Sequence, residues 1–194
     1  MYNMIIEKIT DYLKENQKKE RTAHSRNVAV FASELAEKFG VDKDKAYLAG
    51  FSHDLARDLP EASVRSLAGR DGLPPGDLEN KYPVLLHGRA GAVILSEKFG
   101  VTDPDILNAV RWHTSARPGL SDLEKVIYIA DFLEPGRYYH DKVSYILEKF
   151  SSLDDIFKET LCARRTHLIE KNKTVSAETE ILYRQLCAAE VRNE

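Results

Sequence analysis

The sequence predicts an all-α protein, on three observations. Apolar residues recur along most of the chain at the three- and four-residue spacing of a helix face. Helix stops and starts punctuate these stretches: Gly40 and Gly100 stand where C-terminal glycines stand, while Asp103-Pro104 and Ser121-Asp-Leu-Glu124 fit N-terminal caps. Strand signals are weak, because Val, Ile, Tyr and Phe fall on the helical repeat and no two apolar runs flank an Asn-Gly or Asp-Gly turn.

Ile5, Ile6, Ile9 and Leu13 mark a first helix, followed by a polar break from Lys14 to Lys19. Thr22 is placed to cap a second helix, whose inward positions are Val28, Phe31, Ala32, Leu35 and Phe39. His24 lies one turn before Val28 on that stripe. Asp42 opens a third helix, where Ala46, Ala49 and His53 share one face and the segment ends in the dipeptide His53-Asp54. A short amphipathic piece (Ala62, Val64, Leu67) precedes the Gly/Pro-rich stretch from Gly69 to Gly76. That stretch reads as a loop, a hinge or the base of a flap, and not as a domain boundary, because metal-ligand residue types continue on both sides. Leu85-Leu86-His87-Gly88 opens the next helix, on which His87 shares a face with Ala90, Gly91 and Ile94. After Asp103-Pro104, the positions Ile106, Ala109 and Val110 lead to His113. Leu123, Val126, Ile127 and Ala130 form the following helix, and Asp131 stands one turn beyond Ile127. Glu134-Pro135-Gly136-Arg137 breaks it, and two amphipathic helices, about Leu153 to Glu170 and Ser176 to Val191, follow.

The 194 residues suit one unit, 1–194, with its motifs over about 21–137 and C-terminal helices over 150–191 packed on it. With 43% hydrophobic and 30% charged residues the composition is that of a soluble globular protein. A net charge of −3 argues against an extended nucleic-acid surface. No run is apolar enough to span a membrane, and the first ten residues, with an early acid, read as an amphipathic helix and not as a signal peptide. The expectation is a cytoplasmic protein with neither nucleic acid nor membrane as partner. Cys162 and Cys187 form no metal-type cluster and read as reduced thiols.

His24, His53, Asp54, His87, His113 and Asp131 are polar residues at positions where the periodicity predicts core. One such histidine is ordinarily a hydrogen-bonded core residue. Five helices each turning a histidine or aspartate inward call for more, since bare burial is costly. A shared cation in the helical bundle accounts for all of them. Imidazole and carboxylate donors suit iron, manganese or zinc, and the lack of cysteine ligands disfavours a purely structural zinc site.

The order of these residues resembles the HD superfamily of metal-dependent phosphohydrolases. A closer resemblance, through His24-Ser-Arg-Asn-Val, His53-Asp-Leu-Ala-Arg-Asp, Leu86-His87-Gly, His113-Thr114 and Ile129-Ala-Asp131-Phe-Leu-Glu134-Pro135-Gly136-Arg137, is to the bacterial YqeK family. Those proteins are symmetrical diadenosine tetraphosphate hydrolases with an iron-binding HD domain. The resemblance implies an HD-type helical bundle with a metal site in its core. It implies that His24, His53, Asp54 and Asp131 hold iron or another divalent transition metal such as manganese. His53, Asp54, His87 and His113 would carry the catalysis, with His87 and His113 lining the phosphate side or ligating a second metal. Arg21, Asp54, Arg57, His87, His113, Thr114, Asp131 and Arg137 would meet the nucleotide and its phosphates. Two departures from the family pattern stand out: arginine at Arg57 where lysine is frequent, and Ser115-Ala116 where a glycine is expected two positions after Thr114.

Such an enzyme would split diadenosine tetraphosphate into two ADP molecules with a metal-activated water, and a homodimer is compatible with the resemblance. The rival functions are an HD-type phosphohydrolase of another nucleotide (a mononucleotide, a dNTP or a guanosine alarmone) and a nucleotide sensor without turnover. Among residues outside the motifs, Trp112, the only tryptophan, has core packing as its default role and an adenine support as its alternative. His140 reads as a surface-loop residue. His167 with Arg164, Arg165, Lys171 and Lys173 reads as a solvated basic helix end, or else as a rim that attracts polyphosphate.

Overall fold

In the computed structural model, residues 2–136, 146 and 148–187 are described, and no strand occurs among them. The helices are α1 (Asn3–Asn16), α2 (Lys19–Lys38), α3 (Lys43–Ser52), α4 (Glu61–Ala68), α5 (Asp77–Lys81), α6 (His87–Glu97), α7 (Pro104–Trp112), α8 (Asp122–Leu133), α9 (Leu153–Glu170) and α10 (Ala177–Leu186). None is long and apolar enough to cross a membrane.

The expected punctuation is present. Gly40, at φ 73°, turns the chain after α2 while the Val41 N–H bonds back to Ala36 O at 2.9 Å. Gly100, at φ 72°, does the same after α6, with Val101 N to Leu95 O at 3.2 Å. The Asp42 carboxylate accepts from the Asp44 and Lys45 amides, and Asp103 from Asp105. Ser121 and Glu124 form a reciprocal capping box at the start of α8.

The start of α2 differs from expectation. The helix begins at Lys19, so Thr22 lies inside it and points its hydroxyl at Lys18 O. A tertiary contact, not a local cap, sets this boundary: Lys18 N donates to Asp58 at 3.1 Å, and the Gln17 amide donates to Asp54 O at 2.5 Å. The helix N-terminus is thereby fastened to the His53-Asp54 turn.

At the centre α2 packs on α3 and α8, α3 on α7 and α8, α6 on α7, and α7 on α8. Val28, Leu48, Ile106, Val110, Ile127 and Ile129 are fully buried between them, each side chain contributing about 1.5–3 kcal/mol of transfer free energy. α9 covers α8, and α10 packs on α9. Thr179 of α10 donates to Ala116 O at 3.0 Å, which ties the C-terminal helices to the loop after His113.

Two glycines bring site-bearing helices together. A Cβ on Gly50 would lie 3.0 Å from Ala29 Cα, so α3 meets α2 at backbone contact. A Cβ on Gly88 would lie 2.7 Å from Arg111 O, 2.9 Å from Val110 O and 3.1 Å from His113 Nδ1, so α6 seats directly on the end of α7.

Candidate metal centre

His53 is the C-cap of α3, and its ring is wholly buried. Its Nδ1 donates to Gly50 O at 2.7 Å, which leaves Nε2 as a lone-pair atom. That Nε2 has no hydrogen-bond partner among the described residues, although Asp54 Oδ2 stands 3.6 Å away and Asp131 Oδ1 3.7 Å away. A buried nitrogen without a partner, facing two carboxylates beyond hydrogen-bond reach, is suited to sharing a cation with them.

His113, the C-cap of α7, repeats the device: its Nδ1 bonds to Val110 O at 2.7 Å. His87, the first residue of α6, bonds through Nδ1 to Val84 O in the preceding 3₁₀ turn Pro83–Leu86. In all three cases a backbone carbonyl fixes the ring and turns Nε2 toward the same place. His87 Nε2 lies 3.0 Å from His113 Nε2 and 3.0 Å from Asp54 Oδ1. On the opposite side His24 of α2 places Nε2 3.2 Å from Asp131 Oδ1 and Nδ1 3.1 Å from Glu134 Oε1. Glu134 is buried, and its other oxygen accepts the Gly136 amide at 2.6 Å.

Donor atoms of His24, His53 and Asp131 all lie within 4.8 Å of one another, and so do those of His53, Asp54 and His113, with His53 common to both sets. Burial pushes the His53 imidazole down, and it pushes His113 down to about 3, so both stay neutral and available as ligands. Burial opposes ionisation of Asp54, but the surrounding His53, His87 and His113 outweigh it and hold the carboxyl well below the usual range.

The cluster opens on a cavity of about 590 Å³ lined by Asp54, His87, His113, Thr114 and Asp131 together with Arg21, Arg57, Arg164, Arg165, His167 and Lys173. Arg21 reaches Asp54 Oδ2 at 2.8 Å and Asp58 Oδ1 at 3.1 Å. Arg57 lines the cavity, and the neighbouring Asp58 is held by Arg21. Arg164 lies 3.3 Å from Asp131 Oδ2 and stacks its guanidinium 4.7 Å from the Tyr128 ring centre.

Residues 21–136 match the HD domain. The chain belongs to the HD-domain family. It is 36% identical over 176 residues to the symmetrical bis(5'-nucleosyl)-tetraphosphatase of Bacillus subtilis (strain 168), covering 90% of this chain and 93% of that protein. A protein of the same name from Staphylococcus aureus (strain NCTC 8325 / PS 47) is 33% identical over 178 residues, 91% of each chain. The crystal structure of a "predicted HD superfamily hydrolase involved in NAD metabolism" from Clostridium acetobutylicum matches with a TM-score of 0.84 at 34% identity, over 94% of this chain and 97% of that one.

HD-domain membership implies dependence on a divalent metal, and the donor set described above fits one: a His53 Nε2 with no hydrogen-bond partner among the described residues, neutral imidazoles and flanking carboxylates. Every motif residue expected in the site that lies among the described residues is at this cluster or its cavity. Arg137, expected at a phosphate, and His140, expected in a surface loop, lie outside the described residues. Two expectations change. Trp112 is half-buried at a cavity wall and not in the core, because it is the last residue of α7, whose last turn buries Ala109 and Val110 instead. Arg164, Arg165, His167 and Lys173 line the cavity, which favours the rim over the solvated face for these four, because α9 packs on α8 beside Asp131, whereas Lys171 stays exposed outside it.

Sequence reasoning missed Glu134 as the partner of His24, though its position three residues after Asp131 is the helical spacing that shares a face. It also missed Arg89 and Asp71, whose buried pairing no local pattern announces.

Proposed function

We propose that this HD domain hydrolyses diadenosine tetraphosphate symmetrically to two ADP, using iron held by His24, His53, Asp54 and Asp131. The observation that carries the reading is the meeting of two unlike environments. A buried imidazole–carboxylate cluster, suited to a cation, opens on a cavity lined by Arg21, Arg57, Arg164, Arg165 and Lys173, suited to a polyphosphate. Relatives spanning nearly the whole chain bear the name symmetrical bis(5'-nucleosyl)-tetraphosphatase.

When bound, a divalent ion lowers the pKa of a water and polarises a phosphoryl oxygen. The chain supplies the rest. Gly50, Val84 and Val110 carbonyls orient His53, His87 and His113. Glu134 orients His24. The arginines bind and straighten the phosphate chain and offset the charge that develops on its oxygens. Of the facing His87 and His113 Nε2 atoms, only one can carry the proton that joins them. His87 Nε2 also stands 3.0 Å from Asp54 Oδ1, so the facing pair is placed for either imidazole to pass a proton to the leaving ADP oxygen.

The test is product analysis on metal-replete protein given diadenosine tetraphosphate, a mononucleotide, a dNTP and a guanosine alarmone. ADP as the sole product of the first compound is expected. ATP with AMP, or turnover confined to the other three, would overturn the reading, and tight binding without any turnover would establish the sensor.

A further inference from the structure

A symmetrical cut implies a substrate with two equal nucleosides, each of which needs a seat. We propose that the second seat is a separate cavity of about 650 Å³ beside the first, with Trp112 as the platform for the distal base. This inference rests on the reaction proposed above and extends it to the part of the substrate that reaction leaves unplaced.

The two cavities are neighbours: Leu78, Leu85, Ser115, Thr174, Val175 and Ser176 line both. Their junction lies beside the reacting centre, because Ser115 is two residues from His113, whose ring faces Asp54. Trp112, on the other side of His113, lines only the second cavity. A dinucleotide with its phosphates against His87 and His113 therefore has its two nucleosides on opposite sides of that junction.

The second cavity has the chemistry of a base site. Leu73, Pro74, Leu78, Leu85 and Val175 give it apolar walls, and the indole of Trp112 adds a flat aromatic surface. Arg117, which lines the same cavity, lies over the indole with its guanidinium 5.2 Å from the ring centre and is itself held by Glu124 at 2.7 Å. The wall from Leu73 to Glu79 is preformed. Buried Arg89 grips Asp71 through two bonds of 2.7 and 2.8 Å and Glu79 through one of 2.8 Å. A site already rigid in this way loses little entropy when a ligand enters.

The experiment compares wild type, Trp112→Ala and Trp112→Phe on diadenosine tetraphosphate and on adenosine 5'-tetraphosphate, which keeps the scissile bond but lacks the second nucleoside. Trp112→Ala is expected to raise KM for the dinucleotide roughly five- to a hundredfold while the single-nucleoside compound changes less than about twofold. Trp112→Phe, which keeps an aromatic face, is expected to restore most of the loss. If the wild type leaves adenosine tetraphosphate uncut, its inhibition constant against the dinucleotide serves as the same readout. Because Trp112 is the only tryptophan, its fluorescence reports on this cavity directly. An uncleavable dinucleotide with a methylene at the central bridge is expected to quench it, and adenosine tetraphosphate is expected not to. Equal losses on both compounds, no loss on either, or equal quenching by both would overturn the second seat. A wild type that releases no ADP from diadenosine tetraphosphate would instead sink the reaction itself.

Discussion

Replacing Gly88 by alanine tests how closely the His87–His113 pair depends on helix approach. The added methyl would sit 2.7 Å from Arg111 O and 2.9 Å from Val110 O, neither of which can swing aside, because both belong to the backbone of α7. α6 must back off by about 0.7 Å to restore ordinary contact. Overpacking of this kind costs about 1–3 kcal/mol, and each kcal/mol lowers Tm by roughly 2–4 °C in a chain of this size. The same shift widens the 3.0 Å separation of the two Nε2 atoms, and kcat should fall roughly ten- to a hundredfold. His24, His53 and Asp131 lie outside α6 and α7, so metal content should persist. Gly91→Ala is the control: its methyl would meet Val110 Cγ1 at 3.5 Å and His53 O at 3.6 Å, ordinary distances. Thermal melting, metal analysis and kcat on both variants decide the matter. A Gly88→Ala protein with wild-type Tm and kcat, or one no worse than Gly91→Ala, would refute the reasoning.

His53→Ala and Asp54→Ala should each lose bound metal and hydrolysis together, since both residues stand in the donor sets; full metal content beside lost activity would remove them from the ligand list. Chelation should abolish turnover and lower Tm, with both recovered on adding the divalent ion back. Asp71→Asn should destabilise the protein by about 1.5–3 kcal/mol at neutral pH, because the buried Arg89 guanidinium loses its bidentate partner and keeps only the Glu79 carboxylate. Burial works against ionisation of Asp71, but the Arg89 bonds win and its carboxyl lies below the ordinary value. A depressed carboxyl contributes stability fully above its unfolded value near about 4 and loses it as pH falls through the lower folded value. The gap between wild type and Asp71→Asn in urea melts should therefore narrow only on acidification below that point, and a gap that is constant with pH would show the ion pair to be inert.

The helical class was legible because the signals were local. Gly40, Asp42, Gly100, Asp103 and Ser121 each act within one turn, through a left-handed φ or a side-chain cap, and each stands in the structure where the pattern put it. The start of α2 was not legible at Thr22, since bonds from Gln17 and Lys18 to residues near position 54 set it. α5 has only five residues, too few to show a repeat, and Glu79 accepting the Gly76 amide is what starts it.

The sequence by itself determined that imidazoles and carboxylates would stand on the inward faces of several helices, because the 3.6-residue repeat assigns every residue a side. It also carried the ordered motifs on which family membership rests. Only the tertiary structure decided which of these groups meet. The 3.0 Å contact of His87 with His113 needs α6 seated on α7 at Gly88. The partnering of His24 by Glu134 needs α2 against α8. The joining of Arg164 to Asp131 needs α9 folded back over α8. Periodicity fixes direction about one helix axis, whereas distance between axes depends on the packing of side chains far apart in the chain.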